Sequence, residues 1–143
     1  DAQYLKAGFI NDVPDSLIDA IVDGLEPVDG RSVAVYCQQS GGAIGRVATD
    51  ATAFAHRESI ANMYMFVSWP KESDSAPHID YIRKHWAALE PATAGYYTVD
   101  TSDESREVRH GNYQANFPRL LALKKKYDPT NLFRLNANIN PVG

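Results

Sequence analysis

The stretch IANMYMFVSWP, residues Ile60 to Pro70, has the pattern of a β-strand, and the predicted fold is built around it. It is rich in apolar and aromatic side chains, which strands favour, and Pro70 ends it because proline lacks a backbone donor. Successive side chains of a strand point to opposite faces of its sheet. This alternation predicts one face with Tyr64, Phe66 and Ser68 and an opposite face with Met63, Met65, Val67 and Trp69. We expect both faces of the strand to be at least partly covered.

Helices and further strands are predicted on either side of this strand. The predicted helices are Pro14 to Glu26, Asp74 to Leu89, Glu104 to His110 and Tyr113 to Tyr127, and the other predicted strands are Ser32 to Gln39 and Gly95 to Asp100. Apolar spacing, helix caps and bounding glycines or prolines carry these assignments. Because the strands are few and helices join them, the economical architecture is an α+β fold. We expect an antiparallel sheet with helices packed on one face, followed by a helical C-terminal segment.

The composition is that of an ordinary globular domain. Hydrophobic residues make up 44% of the 143 residues and charged residues 22%, so neither disorder nor a membrane span is indicated. The net charge of −4 argues against a nucleic-acid-binding surface. We interpret the run Lys124 to Lys126 as a solvated helix face. No signal peptide opens the chain, and a cytoplasmic location is our expectation, although a start before Asp1 would make that absence uninformative.

The cysteine and the four histidines carry little chemistry in this pattern. Cys37 is the only cysteine of the sequence, so an internal disulfide is excluded. Its apolar strand context predicts a buried side chain. No two histidines have close metal-ligand spacing and no cysteine accompanies them, so we predict no metal site. His78 and His85 lie seven residues apart on one predicted helix and are expected to be exposed. For His56, in the segment AFAHR, we expect a structural role.

A second informative stretch is YDPTNLFRLNANINP, from Tyr127 to Pro141. Asp128 and Pro129 end the preceding helix, because proline disfavours the helical conformation of the residue before it. In an extended segment alternate side chains share a face, so Asn136 and Asn138 would point the same way. Their carboxamides offer donors and an acceptor that suit the edge of a heterocycle, a ribityl chain or a pyrophosphate. Asparagines in a tail can also serve only the neighbouring backbone.

The same stretch resembles the C-terminal signature of the berberine-bridge-enzyme-like flavoproteins, a branch of the covalent-flavin oxidases. The resemblance is ungapped and continues upstream, where the matching positions are Gly111, Asn116, Phe117, Arg119, Leu120 and Lys124. A further segment, GGAIGRVATDATAFAHR from Gly41 to Arg57, is similar to the glycine-rich strand and the AFAHR segment of the family's substrate domain. Together these segments cover most of the chain.

The resemblance implies an FAD cofactor and a longer polypeptide. Residues 1–100 would be part of a substrate-binding domain, and residues 101–143 would be the C-terminal segment that docks on an FAD-binding domain. That FAD-binding domain, with the residues that attach the flavin, would lie before Asp1. Asn136 and Asn138 would face the FAD, where donors stabilise the negative charge of the reduced flavin. Arg134 could contribute to this contact, but it is equally compatible with a surface ion pair.

The resemblance also assigns the chemistry to Tyr97, in the segment GYYTVD. The family has a Gly-Ala-Tyr-x-Asn-like strand here, which brings a tyrosine towards the flavin as a base or as a substrate-orienting group. Oxidation of an alcohol or an amine removes a hydride from carbon and a proton from oxygen or nitrogen. A phenol can take that proton only when a cation or donors stabilise the phenolate. Val99 stands where the family has asparagine, so the base role stays open, and packing alone is the alternative for Tyr97.

Substrate contacts are expected from one face of the predicted sheet. In the family such a face covers the isoalloxazine, and alternation allows either the tyrosine set or the methionine set of the central strand to face the pocket. We favour the polar-edged set, which consists of Tyr36, Gln38, Tyr64 and Tyr97. Plain core packing is the alternative for either set, and it is stronger for the methionines.

The sequence therefore predicts the C-terminal fragment of a bacterial-type FAD-dependent oxidoreductase. The whole enzyme would oxidise a small alcohol, sugar or amine-type metabolite with oxygen as acceptor, and the fragment alone would be inactive. We expect no nucleic-acid or membrane partner, and a homo-oligomer is compatible with the sequence. Two alternatives from other classes remain open: a free-standing α+β module that binds a ligand or dimerises through its sheet, and a purely structural oligomerisation domain.

Overall fold

A computed structural model describes residues 1–25, 28–97, 111–135 and 138–142 of the chain. The strands are β1 (Ala2–Ile10), β2 (Ser32–Gln39) and β3 (Ala61–Trp69). The helices whose full extent is described are α1 (Asp15–Asp23), α2 (Ala76–Leu89) and α3 (Phe117–Tyr127), and short 3-10 turns occupy Glu90–Ala92 and Gln114–Asn116. No helix within these ranges is long and apolar enough to cross a bilayer.

The three strands form one antiparallel sheet in the order β1-β3-β2. In its centre, Tyr64 of β3 lies opposite Ala7 of β1 and Tyr36 of β2. Strand β3 is the predicted strand that begins near Ile60, and its central position explains why most of its residues are buried. The antiparallel sheet and its helices confirm the predicted α+β class.

The helices α1 and α2 pack on one face of the sheet and form the core with it. The core side chains of β3 are Met63, Met65, Val67 and Trp69, and those of the helices are Leu17, Ile82, Trp86 and Leu89. The predicted alternation of β3 is therefore confirmed. Burying each large apolar side chain contributes about 1.5–3 kcal/mol relative to leaving it exposed. This helix-covered face is where the fold gains most of its stability.

Strand β1 lies outside the elements that the sequence predicts. Its segment AQYLKAGFI contains an internal glycine, which weakens a strand signal. Gly8 is required by the packing, because a Cβ atom there would lie 2.7 Å from Thr93 Cγ2 and 3.3 Å from Trp86 Cζ2. Gly8 thus allows α2 and the following turn to approach β1 closely. The same glycine weakens the strand signal of β1 in the sequence.

The predicted strand that begins at Gly95 is not a strand over its described residues, 95–97. Pairing with β1 occurs just before it, where Thr93 forms an isolated antiparallel bridge with Ile10. The Phe9 N–H then donates to Gly95 O at 2.8 Å. Gly95 has a φ of +135°, a conformation outside regular strands, so the ladder ends there.

Helix α3 is shorter than the helix predicted to begin at Tyr113. Gln114 has a left-handed φ of +45°, which is incompatible with a regular helix, and α3 starts at Phe117 with Pro118 in its first turn. The predicted helix from Glu104 to His110 lies outside the described residues, as do residues 98–100.

Predictions about the burial of Cys37, His78 and His85 are wrong. Cys37 is exposed, because β2 is an edge strand and α2 packs mainly over β3 and β1. His78 is buried, and its ring stacks on Trp69 with 4.9 Å between ring centroids. His85 is half-buried, with its Nδ1 3.0 Å from Tyr81 O. In each case the neighbouring element, which local sequence does not reveal, decides the exposure.

Candidate functional site

The face of the sheet opposite α1 and α2 carries a pair of stacked tyrosines. Tyr36 of β2 and Tyr64 of β3 are register partners, and their rings lie 4.7 Å apart between centroids and 6° from parallel. Cross-strand aromatic pairs of this kind stabilise a sheet. Tyr64 is only 6% exposed, whereas Tyr36 is 48% exposed. Tyr36 therefore offers solvent an aromatic ring that Tyr64 holds in place.

A network of side-chain hydrogen bonds joins β2 and β3 beside this pair. Asn62 Nδ2 donates to Tyr64 Oη at 2.7 Å, and the Tyr64 hydroxyl donates to Gln38 Oε1 at 3.1 Å. The ring of Phe66 contacts Tyr36 edge-on, with 6.3 Å between centroids. We call these five residues, Tyr36, Gln38, Asn62, Tyr64 and Phe66, the tyrosine face. The structure thus brings together three predicted site residues: Tyr36, Gln38 and Tyr64.

The two side-chain sets of β3 are separated by the sheet. Met63 and Met65 belong to the core beneath the helices, where both side chains are fully buried. Of the two sets that alternation allowed to line a pocket, the tyrosine set is the one that lies outside the helix-covered core.

Tyr97 lies beside one end of the tyrosine face. Its ring centroid is 6.3 Å from that of Phe9 and 6.2 Å from that of Phe54, and the side chain is 40% exposed. Phe9 is the register partner of Asn62, so it links Tyr97 to the tyrosine face. Val99, which stands in place of the family asparagine, lies outside the described residues.

His56, for which a structural role is predicted, is buried next to the aromatic neighbours of Tyr97. His56 stacks on Phe9 with 4.1 Å between ring centroids. Its Nε2 lies 3.1 Å from Asn112 O, and its Nδ1 lies 3.3 Å from Gln114 Nε2. Burial lowers the pKa of His56 below its ordinary value, although backbone hydrogen bonds, that of Asn112 first, favour the charged ring. The AFAHR segment was the one sequence signal that pointed towards it.

One carboxylate holds the turn that follows α3. Asp128 Oδ1 accepts from the Leu132 N–H at 2.7 Å, and Oδ2 accepts from the Phe133 N–H at 3.1 Å and from Lys124 Nζ at 2.5 Å. The hydrogen bond from Lys124 is the main reason that the pKa of the Asp128 carboxyl lies below its usual value. The turn presents Leu132, Phe133 and Leu135 to solvent.

The structure describes one of the two predicted C-terminal amides. Asn136 lies outside the described residues, and Arg134 is exposed. Asn138 is half-buried, and its Oδ1 is shielded from solvent with no hydrogen-bond partner in the described part of the chain. A buried polar atom without a hydrogen bond costs about 1–3 kcal/mol, so this oxygen requires a donor.

The sequence of the chain is similar to a known family and to known proteins. Residues 95–140, which include Tyr97 and Asn138, match the family described as berberine and berberine like. The chain is 32% identical, over 87% of its length, to the uncharacterized FAD-linked oxidoreductase YgaK of Bacillus subtilis (strain 168), of which it covers 28%. It is 27% identical, over 92% of its length, to the hexose oxidase of Chondrus crispus, of which it covers 30%.

A solved structure agrees with these relatives. The crystal structure of a glycopeptide hexose oxidase complexed with teicoplanin matches 96% of the chain with a TM-score of 0.83 and 25% identity, and the chain covers 32% of it. The chain thus spans between 28% and 32% of the length of these three proteins. Other relatives come from plants and fungi, so the comparisons do not support a specifically bacterial type. The chain belongs to the berberine-bridge-enzyme-like family of FAD-linked oxidoreductases.

Proposed function

We propose that this chain is the substrate-side part of a longer FAD-linked oxidase. Residues 1–100 belong to its substrate-binding domain, and residues 101–143 form the C-terminal segment that docks on an FAD-binding domain of the same polypeptide. The substrate is a small alcohol, sugar or amine-type metabolite, and dioxygen is the electron acceptor. The proposal is supported by the chain's similarity to two relatives named as FAD-linked oxidoreductases, of which it covers 28% and 26%.

The observation that carries this proposal is that Phe9 connects Tyr97 to the tyrosine face: its ring lies 6.3 Å from that of Tyr97, and it is the register partner of Asn62. Tyr36 offers an exposed aromatic plane, and the carboxamide of Gln38 lies beside it with donors and an acceptor that suit hydroxyl groups. An apolar surface with a few convergent polar groups is typical of small-molecule sites. Among the substrate classes named above, this combination favours a hydroxyl-rich molecule, such as the hexoses named for two relatives.

Tyr97 has a defined task in such a reaction. Oxidising an alcohol to a carbonyl removes a hydride from carbon and a proton from oxygen. Bound FAD would supply the hydride acceptor, and dioxygen would take up the two electrons and become hydrogen peroxide. We assign to Tyr97 the orientation of the reacting hydroxyl, because its half-exposed ring lies at the margin of the tyrosine face. Accepting the proton requires an additional donor, since Val99 lacks the amide of the family asparagine.

The C-terminal segment fits a neighbouring domain that carries FAD. Asn136 and Asn138 are the proposed contacts of the cofactor, and Asn138 has a shielded oxygen without a partner among the described residues. A carboxamide in that state suits the polar edge of a flavin ring. Leu132, Phe133 and Leu135 form an exposed apolar patch close by in the chain, of the kind that a partner domain covers.

The test begins with the natural protein that contains this chain. We expect the purified protein to be yellow, to absorb in the flavin bands, and to form hydrogen peroxide with at least one member of a panel of hexoses, small alcohols and amines. The chain expressed alone should be colourless and inactive, because the proposed FAD-binding domain is not part of it. A natural protein that binds no flavin and oxidises nothing in the panel would overturn the proposal and favour a binding or dimerisation module.

A further inference from the structure

We infer that His56 and Gln114 form a clamp that positions Tyr97, an inference that rests on the proposed role of Tyr97. The clamp consists of the His56 imidazole, the Gln114 carboxamide and the Gly95 backbone between them. It joins the chain before residue 98 to the chain after residue 110, because Asn112 and Gln114 contact the His56 ring and Gln114 also donates to Ala94 O. His56 is therefore a positioning residue for the reaction.

We assign the tautomer of His56 from two of its hydrogen bonds. A carbonyl oxygen only accepts, so Nε2, which lies 3.1 Å from Asn112 O, carries the proton. Nδ1 of the neutral ring then accepts from the Gln114 Nε2–H at 3.3 Å. Stacking on Phe9, at 4.1 Å between centroids, fixes the plane of the ring. Both nitrogens are thus used by the segment that follows residue 110, and the ring has one defined orientation.

Gln114 extends the clamp to the chain before Tyr97. Its carboxamide also donates to Ala94 O at 2.6 Å, so one side chain contacts both His56 and the residue before Gly95. The backbone of Gln114 has a φ of +45°, a left-handed conformation that is uncommon for a residue with a side chain. Such conformations persist where surrounding contacts hold them, and they cluster at functional sites.

Gly95 connects the clamp to Tyr97 through the backbone. A Cβ atom at Gly95 would lie 2.5 Å from His56 Cε1 and 2.6 Å from Gly111 O, so the backbone fits between these groups without spare room. Tyr97 follows two residues later. A shift of the Gly95 backbone would therefore move the Tyr97 ring relative to Phe9 and to the tyrosine face.

His78 shows what a histidine with only a packing role looks like in this fold. It is also buried and stacked on an aromatic ring, that of Trp69 at 4.9 Å between centroids. It lies on the helix-covered side of the sheet, and its Nδ1 has no partner among the described residues. The same substitution at His56 and at His78 therefore separates positioning from packing.

The test compares His56→Phe with His78→Phe in the flavin-loaded whole protein. Phenylalanine keeps a stacked ring but removes both ring nitrogens. We expect His56→Phe to slow flavin reduction by about 10- to 100-fold with little change in KM, because a misplacement of about 1 Å can cost that much. His78→Phe should leave the rate unchanged. Gln114→Met, which breaks the clamp from its other side, should reproduce the loss and replaces His56→Phe if that protein does not fold.

A double variant with Tyr97→Phe shows whether the clamp acts through Tyr97. In the Tyr97→Phe background, the His56→Phe substitution should cause no further loss of rate. Additive losses would overturn the inference, as would equal losses for His56→Phe and His78→Phe. In those cases His56 would be a packing residue.

Hydrogen exchange separates a failed clamp from a failed proposed function. If Tyr97→Phe alone leaves flavin reduction unchanged, the proposed role of Tyr97 is wrong, and the clamp is judged by amide exchange in peptides covering residues 93–97 and 111–116. Faster exchange there in His56→Phe and Gln114→Met, but not in His78→Phe, supports the clamp. Equal exchange in all three variants overturns it.

Discussion

The helix-covered face and the tyrosine face are built from the same strands but differ in chemistry. On the covered face, Met63 and Met65 are fully buried against α2. On the opposite face, Tyr64 is held by hydrogen bonds to Asn62 and Gln38 and stacks on a half-exposed ring. Because side chains alternate along a strand, β3 supplies stability on one side and recognition chemistry on the other. A substitution in β3 should therefore affect either folding or the site, depending on which face it lies on.

The largest effect is expected on the covered face, from Trp86→Ala. The side chain is 2% exposed and lies in the core, so its truncation should lower the free energy of unfolding by about 3–5 kcal/mol. Urea denaturation of the chain measures this loss. Val22→Ala, at an exposed position of α1, is the control and should change stability by less than about 0.5 kcal/mol. Similar stabilities for the two variants would show that the helix-covered face is not the main source of stability.

The next largest effect is expected at the margin of the tyrosine face, from Tyr97→Phe in the whole enzyme. Losing an orienting hydroxyl should slow flavin reduction by about 10- to 100-fold, which corresponds to about 1.4–2.7 kcal/mol in the barrier. Substrate binding and the free energy of unfolding should change far less, because the hydroxyl acts in the transition state. Stopped-flow measurement of flavin reduction tests this. An unchanged rate would leave Tyr97 with a packing role only.

A smaller effect is expected from two neighbouring substitutions in β3, one on each face. Tyr64→Phe keeps the stacked ring but removes the hydroxyl between Asn62 and Gln38. We expect KM to rise several-fold, because Gln38 loses the hydroxyl that orients its carboxamide, and the free energy of unfolding to fall by about 1 kcal/mol with the lost hydrogen bond. Met65→Leu, the next position along the strand, should cost less than about 1.5 kcal/mol of stability and leave KM unchanged. The reverse pattern would show that the two faces are not separate in function.

The smallest effect is a pH dependence of stability carried by His56. Its pKa is lowered in the fold, so the unfolded chain binds a proton at a higher pH than the folded chain does. The contribution of the neutral ring is fully present above the unfolded pKa of about 6.5 and is lost as pH falls towards the folded pKa. Tm should therefore fall less between about pH 7.5 and about pH 5.5 in His56→Phe than in the parent protein.

Asp128 does not interfere with this measurement. The pKa of its carboxyl is lowered from 3.8 by Lys124, so its contribution to stability is lost only at more acidic pH. An equal fall of Tm in His56→Phe and in the parent would show that His56 does not carry the pH dependence.

The sequence predicts those elements whose periodicity is strong and whose ends carry clear signals. The bounds of β2 agree with the prediction, and β3 and α2 differ from it by one or two residues. Strand β1 has no such signal, because Gly8 interrupts its pattern. A glycine is needed there because a Cβ atom would be too close to Thr93 and Trp86. The exposure of Cys37 depends on the edge position of β2, which is a property of the assembled sheet.

The candidate site divides in the same way. The grouping of Tyr36, Gln38 and Tyr64 on one side of the sheet follows from alternation once two strands are known to pair. The contacts of His56 with Asn112 and Gln114 join residues that are 56 and 58 positions apart, so no local pattern reveals them. The roles of Tyr97, Asn136 and Asn138 come from the resemblance and remain predictions for experiment.

The two chemically distinct faces of β3 follow from the amino-acid sequence alone, because alternation is a property of every extended backbone. The sequence also identifies the family, because the C-terminal stretch from Tyr127 to Pro141 is a long local pattern. Three features depend on long-range packing: β3 is central, the methionines face the helices, and His56 contacts Gln114 beside Gly95. These outcomes depend on contacts between segments far apart in the chain, whose energies are settled when the whole core assembles.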